Sequence, residues 1–230
     1  MINPGDFSMS GCAPAPVNSI SGTVFTYQTT SSSTNLPTGT PNTPATIAAG
    51  GSQSFVFALT PSAAVAATTV GLSFTCSTLG YAAAPVIAGV DTLLYSASTT
   101  PVPDVVALVA TPQNDGIMHI PGTAGSSAIA VATLNVGTTG VITVSPNTGA
   151  AVLPLSLTVC QTNPTTSECL APPAATVSAS LNGSSTATFG IFATATGAIP
   201  FLPAHNRVFV QFSDSGAVVR GSTSVAVQTQ

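Results

Sequence analysis

Short runs of alternating apolar and polar residues are the dominant pattern of the chain from residue 46 onward. Runs such as "SQSFVFALT", "TVGLSFTC" and "SSAIAVATLNV", and later "LPLSLTVCQ", "ATFGIFATA" and "NRVFVQFSD", are separated by Gly, Pro and Asn. No apolar period of 3.6 residues is sustained, so helices are not expected. Turn signals such as "NDG" and "SDSG" between the runs favour antiparallel pairing. The pattern therefore predicts an all-β fold built from antiparallel β-sandwiches.

The strand pattern repeats once along the chain. The stretch "VGLSFTCST" aligns with "LPLSLTVCQT", which places Cys76 opposite Cys160. A repeat of this size is typical of tandem domains that each bury their own core. The sequence therefore predicts two tandem Ig-like β-sandwiches, at residues 46–137 and 138–230.

Residues 1–45 are rich in Ser, Thr, Pro and Asn, with one strand-like stretch, "GTVFTYQT", at 22–29. We expect an extended N-terminal leader, for which two interpretations remain open. The leader is either flexible with a first edge strand, or it donates a strand to another subunit. In the second case Thr23, Val24, Phe25 and Tyr27 contact the neighbouring subunit. The C-terminal stretch "STSVAVQT" is a second edge that could pair in this way.

Charged residues make up only 3% of the chain, which has no lysine and only Arg207 and Arg220 as arginines. Two cations cannot neutralise a row of phosphates, so nucleic-acid binding is excluded. No run of 18 apolar residues occurs, so no membrane-spanning helix is predicted. A net charge of −4 gives little mutual repulsion between copies. We therefore expect self-association into a homopolymer.

The four cysteines predict disulfides rather than a metal or redox site. Structural zinc ligands usually lie two to four residues apart, and no C-x-x-C is present. The stretch "CQTNPTTSEC" predicts a Cys160–Cys169 clip across a loop of turn-forming residues. Cys12 is then the cysteine left for Cys76, and a Cys76–Cys160 link is the alternative. Disulfides require an oxidising compartment, so we expect an exported protein whose signal sequence is not present in this chain.

The polar residues that usually carry catalysis are isolated in the sequence. His119 and His205 have no neighbouring cysteine to form a metal site, a triad would have to be assembled from distant residues, and the G-x-S-x-G elbow of a serine nucleophile is missing. We therefore predict no catalytic residue, no metal and no cofactor. Arg220 is expected either to pair with Asp214 across a terminal hairpin or to contact a neighbouring subunit. The candidate attachment sites for a glycan are the Ser/Thr-rich leader and the sequon at Asn182.

Three stretches, "NRVFVQFSDSGAVVRGSTSVAV", "APVIAGVDTLLYSAS" and "PDVVALVAT", resemble secreted bacterial surface proteins with tandem Ig-like β-sandwich units. The resemblance covers residues 50–230, implies an exported structural or adhesive role, and supplies no catalytic residues.

We expect a structural subunit of an extracellular polymer, such as a filament, sheath or surface layer, that assembles through β-strand pairing. The alternative is an adhesin or carbohydrate-binding module on the cell surface. Such modules usually display aromatic platforms, whereas this sequence lacks tryptophan and its tyrosines, at 27, 81 and 95, are scattered.

Overall fold

The computed structural model describes residues 1–77 and 85–230, and every regular element within these residues is a β-strand. Tyr81 lies outside the described residues. The chain divides into two compact units, Met1–Thr99 and Thr100–Gln230. The predicted all-β fold with antiparallel sheets is thereby confirmed. The Ig-like character of the units stays a prediction.

The first unit contains two antiparallel sheets, with strand orders β4-β1-β6-β7 and β3-β2-β5. Its strands are β1 (Met9–Pro16), β2 (Thr23–Thr30), β3 (Pro37–Thr38), β4 (Ala45–Ile47), β5 (Ser54–Pro61), β6 (Val65–Thr75) and β7 (Thr92–Ala97).

The second unit contains a four-stranded sheet of order β12-β14-β10-β8 and a five-stranded sheet of order β13-β11-β15-β16-β9. Its strands are β8 (Val105–Ala110), β9 (Ile117–Ile120), β10 (Ser126–Asn135), β11 (Gly140–Asn147), β12 (Leu155–Thr162), β13 (Val177–Leu181), β14 (Thr186–Ala195), β15 (Arg207–Ser213) and β16 (Val219–Thr229). Pairing is antiparallel except between β9 and β16, which run parallel.

Strict alternation of side chains builds the core of the second unit. Phe189 and Ile191 of β14 are almost fully buried, whereas the residues between and beside them face outward. Phe212 of β15, in the other sheet, meets Phe189 edge to face with ring centroids 5.8 Å apart. The two sheets therefore pack face to face around one core.

The first unit buries fewer side chains completely. Among the described residues its buried aliphatic side chains are Ile47, Val70 and Leu72. The β3-β2-β5 sheet adds half-buried aromatic residues, and the rings of Phe25 and Phe57 stack with centroids 5.6 Å apart. We infer that the first unit holds its fold with less buried apolar surface than the second.

The boundary between the units lies at Thr99/Thr100 and not at residues 137/138, where the sequence analysis placed it. Residues 136–139 connect β10 to β11, which lie in opposite sheets of one sandwich. Asn135 is fully buried and anchors this connection, since its side chain donates to the Thr138 and Leu181 carbonyls and accepts from the Asp104 and Gly137 amides. Residues 136–139 are thus an internal corner of the second unit.

Residues 1–45 also differ from the extended leader that the sequence predicts. They contain β1, β2 and β3, which belong to the two sheets of the first unit. β2 pairs with β5 over its whole length and with β3 at Thr29 and Thr30. The strand that one of the two interpretations would donate to a neighbour is therefore used within its own unit.

Candidate functional site

The Cys160–Cys169 disulfide closes the predicted clip at the end of β12. Within the clip, the Asn163 side chain accepts hydrogen bonds from the Thr165 and Thr166 amides, so the turn caps its own backbone. The chain after the clip then runs beside β12, where Ala174 and Val159 exchange backbone hydrogen bonds of 2.8 and 3.0 Å. The clip thus holds a short segment over the outer edge of the four-stranded sheet.

The second disulfide joins Cys12 in β1 to Cys76, directly after β6, across a sequence separation of 64 residues. Cys12 is fully buried, and both partners lie in the first unit. The alternative Cys76–Cys160 link does not occur, and none of the four cysteines is free. Such bonds form and persist in oxidising environments, which include the outside of the cell.

Arg220 pairs with Asp214 at a distance of 2.7 Å, across the turn between β15 and β16. The Asp214 carboxylate also accepts hydrogen bonds from the Gly216 and Val218 amides. Burial raises the pKa of Asp214, but the hydrogen bonds from Arg220 and from the two amides outweigh it and hold this pKa below its ordinary value. The pair therefore organises the hairpin turn, while a contact between Arg220 and a neighbouring subunit stays an untested prediction.

We expect Asp214→Ala to destabilise the second unit by about 1–3 kcal/mol, because two backbone amides lose their acceptor. Arg220→Ala should cost about 0.5–1 kcal/mol, since it removes only the ion pair. Because the pKa of Asp214 is lower in the folded protein than its ordinary value of 3.8, its contribution to stability is complete at pH values above 3.8. This contribution is lost as the pH falls through the pKa of the folded protein. Urea unfolding at neutral and acid pH measures both effects, and equal costs for the two variants would contradict the turn-capping role.

His119 lies on the outer face of the five-stranded sheet and makes hydrogen bonds through both ring nitrogens. Nε2 contacts Asp115 at 2.7 Å, and Nδ1 contacts the side-chain amides of Gln228 and Gln230. The hydrogen bond from His119 lowers the pKa of Asp115, with a further contribution from the Ile117 amide. These contacts join the end of the chain to the loop before β9. His205 lies in the loop before β15, where its amide bonds to the Leu202 carbonyl.

Arg207 has a role that the sequence analysis did not predict. Its side chain lies on the outer face of β15 and is 8% exposed, and burial lowers its pKa. The guanidinium donates to the Pro203 carbonyl at 2.9 Å and to the Ser224 hydroxyl at 2.9 Å. Arg207 therefore fastens the loop before β15 to strand β16.

The predicted subunit contacts in β2 divide between the two faces of the sheet. Thr23, Phe25 and Tyr27 are half-buried on one face, and the Thr23 hydroxyl lies 3.4 Å from the Tyr95 hydroxyl of the other sheet. Val24 lies on the opposite face and is mostly exposed. The C-terminal stretch is not an edge strand of its sheet, because β16 pairs with β15 as far as Ala226 and with β9 from Ala226 to Thr229.

An edge that the sequence analysis missed belongs to β5, whose only strand partner among the described residues is β2. The Ser62 amide donates to the Gly22 carbonyl at 2.8 Å, so Gly22 and Ser62 are a hydrogen-bonded pair. In an antiparallel ladder, hydrogen-bonded and non-hydrogen-bonded pairs alternate along the strands. Val56, Ala58 and Thr60 consequently make the bonds to β2. The backbone groups of Phe55, Phe57 and Leu59 point away from β2.

An apolar surface covers the outer face of β8 and β10. Leu108 of β8 is 71% exposed and lies opposite Ala132, and Val106 lies opposite Leu134. None of the four strands of this sheet contains a charged residue. Only the pairing of the run "VVALVA" with β10 reveals which of its side chains reach solvent.

No group of three or more His, Cys, Asp or Glu side chains in residues 1–77 and 85–230 is arranged to hold a metal ion. No helix long and apolar enough to cross a membrane occurs in that part of the chain. Asn182, in the predicted sequon, is exposed in the turn between β13 and β14. A glycan there stays a prediction.

No protein-family model and no curated protein matches the sequence. Solved structures that match include the secreted serine protease VesC from Vibrio cholerae, with 13% identity and a TM-score of 0.24. That match covers 93% of this chain and 45% of the protease, so the chain spans less than half of the protease's length. The CupB6 tip adhesin from Pseudomonas aeruginosa also matches, with 8% identity, a TM-score of 0.29, and coverage of 100% of this chain and 82% of the adhesin. Neither likeness identifies the function of this chain.

Proposed function

We propose that this chain is an extracellular, non-catalytic protein that acts by surface contact, as an adhesive module of the cell surface. The observation that carries the proposal is the charge-free outer face of β8 and β10, where Val106, Leu108 and Leu134 are neighbours in register and exposed. Contiguous exposed apolar surface is typical of interaction sites. Its expected counterpart is an uncharged, apolar surface.

Two further features support a contact role in an oxidising environment. Each unit contains one disulfide, and disulfides form and persist in oxidising compartments such as the outside of the cell. The candidate acid–base residues His119, Asp115 and Asp214 are engaged in hydrogen bonds that organise turns and the chain end. These engagements favour structural roles for the groups that a hydrolase would use.

The test is adhesion of the purified protein to alkyl-coated beads and to beads coated with a neutral polysaccharide. Leu108→Lys should reduce retention on the alkyl surface at least about tenfold, because a charge buried at an apolar contact is strongly penalised. Val152→Lys is the matched control, since it adds the same charge at a loop residue that is 99% exposed. Equal retention of the two variants would reject this face as the adhesive surface. Retention on polysaccharide that Leu108→Lys leaves unchanged would instead favour a carbohydrate-binding module.

A second candidate function is the structural subunit of an extracellular polymer that assembles by strand pairing. The observation that favours it is the outer edge of β5, which pairs with no strand among the residues that the structure describes. A polymer also needs a second contact, because a single two-fold contact closes into a dimer.

A further inference from the structure

Just before β5, the same edge of the chain already pairs with residues 1–3 through an isolated antiparallel bridge. Ile2 forms an antiparallel bridge with Ser52, the Asn3 amide donates to the Gly51 carbonyl, and the Gln53 amide donates to the Met1 carbonyl, each at 2.9 Å. The backbone groups of successive residues in a strand point to opposite edges. Those of Gly51 and Gln53 therefore point to the same edge as those of Phe55, Phe57 and Leu59. The backbone at this edge is therefore shaped for antiparallel pairing.

Beyond Gln53, the same edge has no strand partner within residues 1–77 and 85–230. The register of β5 with β2 runs over eight consecutive pairs without a bulge. Pro61, the last residue of β5, has no amide proton and falls on the open side, a position that suits an edge strand. Phe55, Phe57 and Leu59 thus present a regular open ladder.

The usual protections of an edge strand are absent from the body of β5. Natural edges carry lysines, inward charges, internal prolines or bulges that prevent pairing with another chain. The segments "SFVFALTP" of β5 and "TVFTYQTT" of β2 contain no charged residue. Strand β8, at one edge of the four-stranded sheet, is covered by comparison. It packs so closely against β16 that a Cβ added at Gly221 would overlap the Val105 carbonyl oxygen. Of these two strands, β5 has the more open edge.

The composition of β5 also indicates what pairs with it. We propose that two copies of the chain pair through antiparallel β5 strands about a two-fold axis near Phe57, joining two β3-β2-β5 sheets into one of six strands. On the inner face Phe55 of one copy then lies beside Leu59 of the other. On the outer face Val56 lies beside Ala58. The central cross-strand pairs are apolar, Ser54 lies opposite Thr60, and no pair carries a charge, so identical strands meet without repulsion and cover their half-buried aromatic rings.

The test is the oligomeric state of the full chain, with its disulfides intact, by sedimentation velocity over a range of concentrations. Ala58→Lys should raise the dimer dissociation constant at least about tenfold, because the two-fold axis brings two like charges together at the pairing edge. Salt at about 1 M should restore part of the affinity by screening these charges. Ala58 is exposed and faces away from the core, so urea unfolding of the first unit should change little.

Val24→Lys is the matched control, because it adds the same charge on the same outer face but one strand further in, opposite Thr60. It should remain dimeric. A monomeric wild-type protein, an Ala58→Lys variant as dimeric as the wild type, or equal dissociation of both lysine variants would overturn the proposal. This inference is separate from the adhesive role, since the bead assay with Leu108→Lys concerns the second unit. Either result can fail while the other holds.

Discussion

Replacing Cys12 and Cys76 together by serine should lower the free energy of unfolding of the first unit by about 4 kcal/mol. The bond closes a loop spanning 64 residues, and in the chain-entropy model a longer loop constrains the unfolded state more strongly. The loss falls on a unit whose buried aliphatic side chains, among those described, are only Ile47, Val70 and Leu72. Since domains are stable by only about 5–15 kcal/mol, the first unit should unfold at a much lower urea concentration.

The distribution of aromatic residues makes this result measurable unit by unit. The sequence has no tryptophan, and its three tyrosines all lie within residues 1–99. Tyrosine fluorescence therefore follows the first unit, while circular dichroism follows both. The matched control replaces Cys160 and Cys169, which are nine residues apart, and should cost about 2.5–3 kcal/mol in the second unit. A tyrosine transition that stays in place without the Cys12–Cys76 bond would contradict this prediction.

Phe189→Ala should destabilise the second unit by about 3–5 kcal/mol, which is the usual cost of deleting a fully buried aromatic ring. Phe189 is 1% exposed and contacts Phe212 of the opposite sheet, so the substitution opens a cavity between the two sheets. The circular-dichroism transition of the second unit should move to lower urea. The tyrosine transition should remain where it is.

Phe201→Ala is the control for this substitution, because Phe201 is a loop residue that is 51% exposed. Its effect should stay within about 0.5 kcal/mol. A shift of the tyrosine signal with Phe189→Ala would indicate that the two units unfold together. Comparable losses in the two variants would indicate that Phe189 is not central to the core.

The fold class was accessible from the sequence because period-two alternation and turn residues act locally. The run "ATFGIFATA" alternates as strand β14 does, with Phe189 and Ile191 inward and Gly190 outward. Cys160 and Cys169 are likewise near each other in sequence, so the turn residues between them indicated a clip. These are contacts whose physical cause lies within a short window of the chain.

The domain boundary was not accessible, because it depends on which strands share a core. Gly137 and its neighbours have the composition of a linker, yet the Asn135 side chain holds them inside the second unit, bonding to the Gly137 amide and the Thr138 carbonyl as well as to Asp104 and Leu181. No local pattern distinguishes an internal corner from a linker. The repeat placed the division in the β10–β11 connection, three connections after the β7–β8 connection where it lies.

The candidate interaction edge was also hidden, for a related reason. The stretches containing β2 and β5 are both uncharged and alternating, and from the sequence β2 and the C-terminal stretch were the strands predicted to be available to a neighbour. In the structure β2 is central in its sheet and β5 is at the edge. Whether a strand lies at the edge of its sheet depends on the order of the strands. That order is set by pairing between residues far apart in sequence, such as Tyr27 and Phe57, which are 30 positions apart.

The bond between Cys12 and Cys76 also sets how far the first unit can lengthen under tension. When the chain is pulled from its two ends, the load crosses the disulfide and bypasses the loop between the cysteines, whose sequence separation is 64. At about 3.3–3.6 Å per extended residue, roughly 210–230 Å of chain is kept out of the load path. Only the short segments before Cys12 and after Cys76 can extend. The bond therefore leaves only about a third of the first unit's chain, residues 1–11 and 77–99, free to lengthen once its hydrogen bonds have broken.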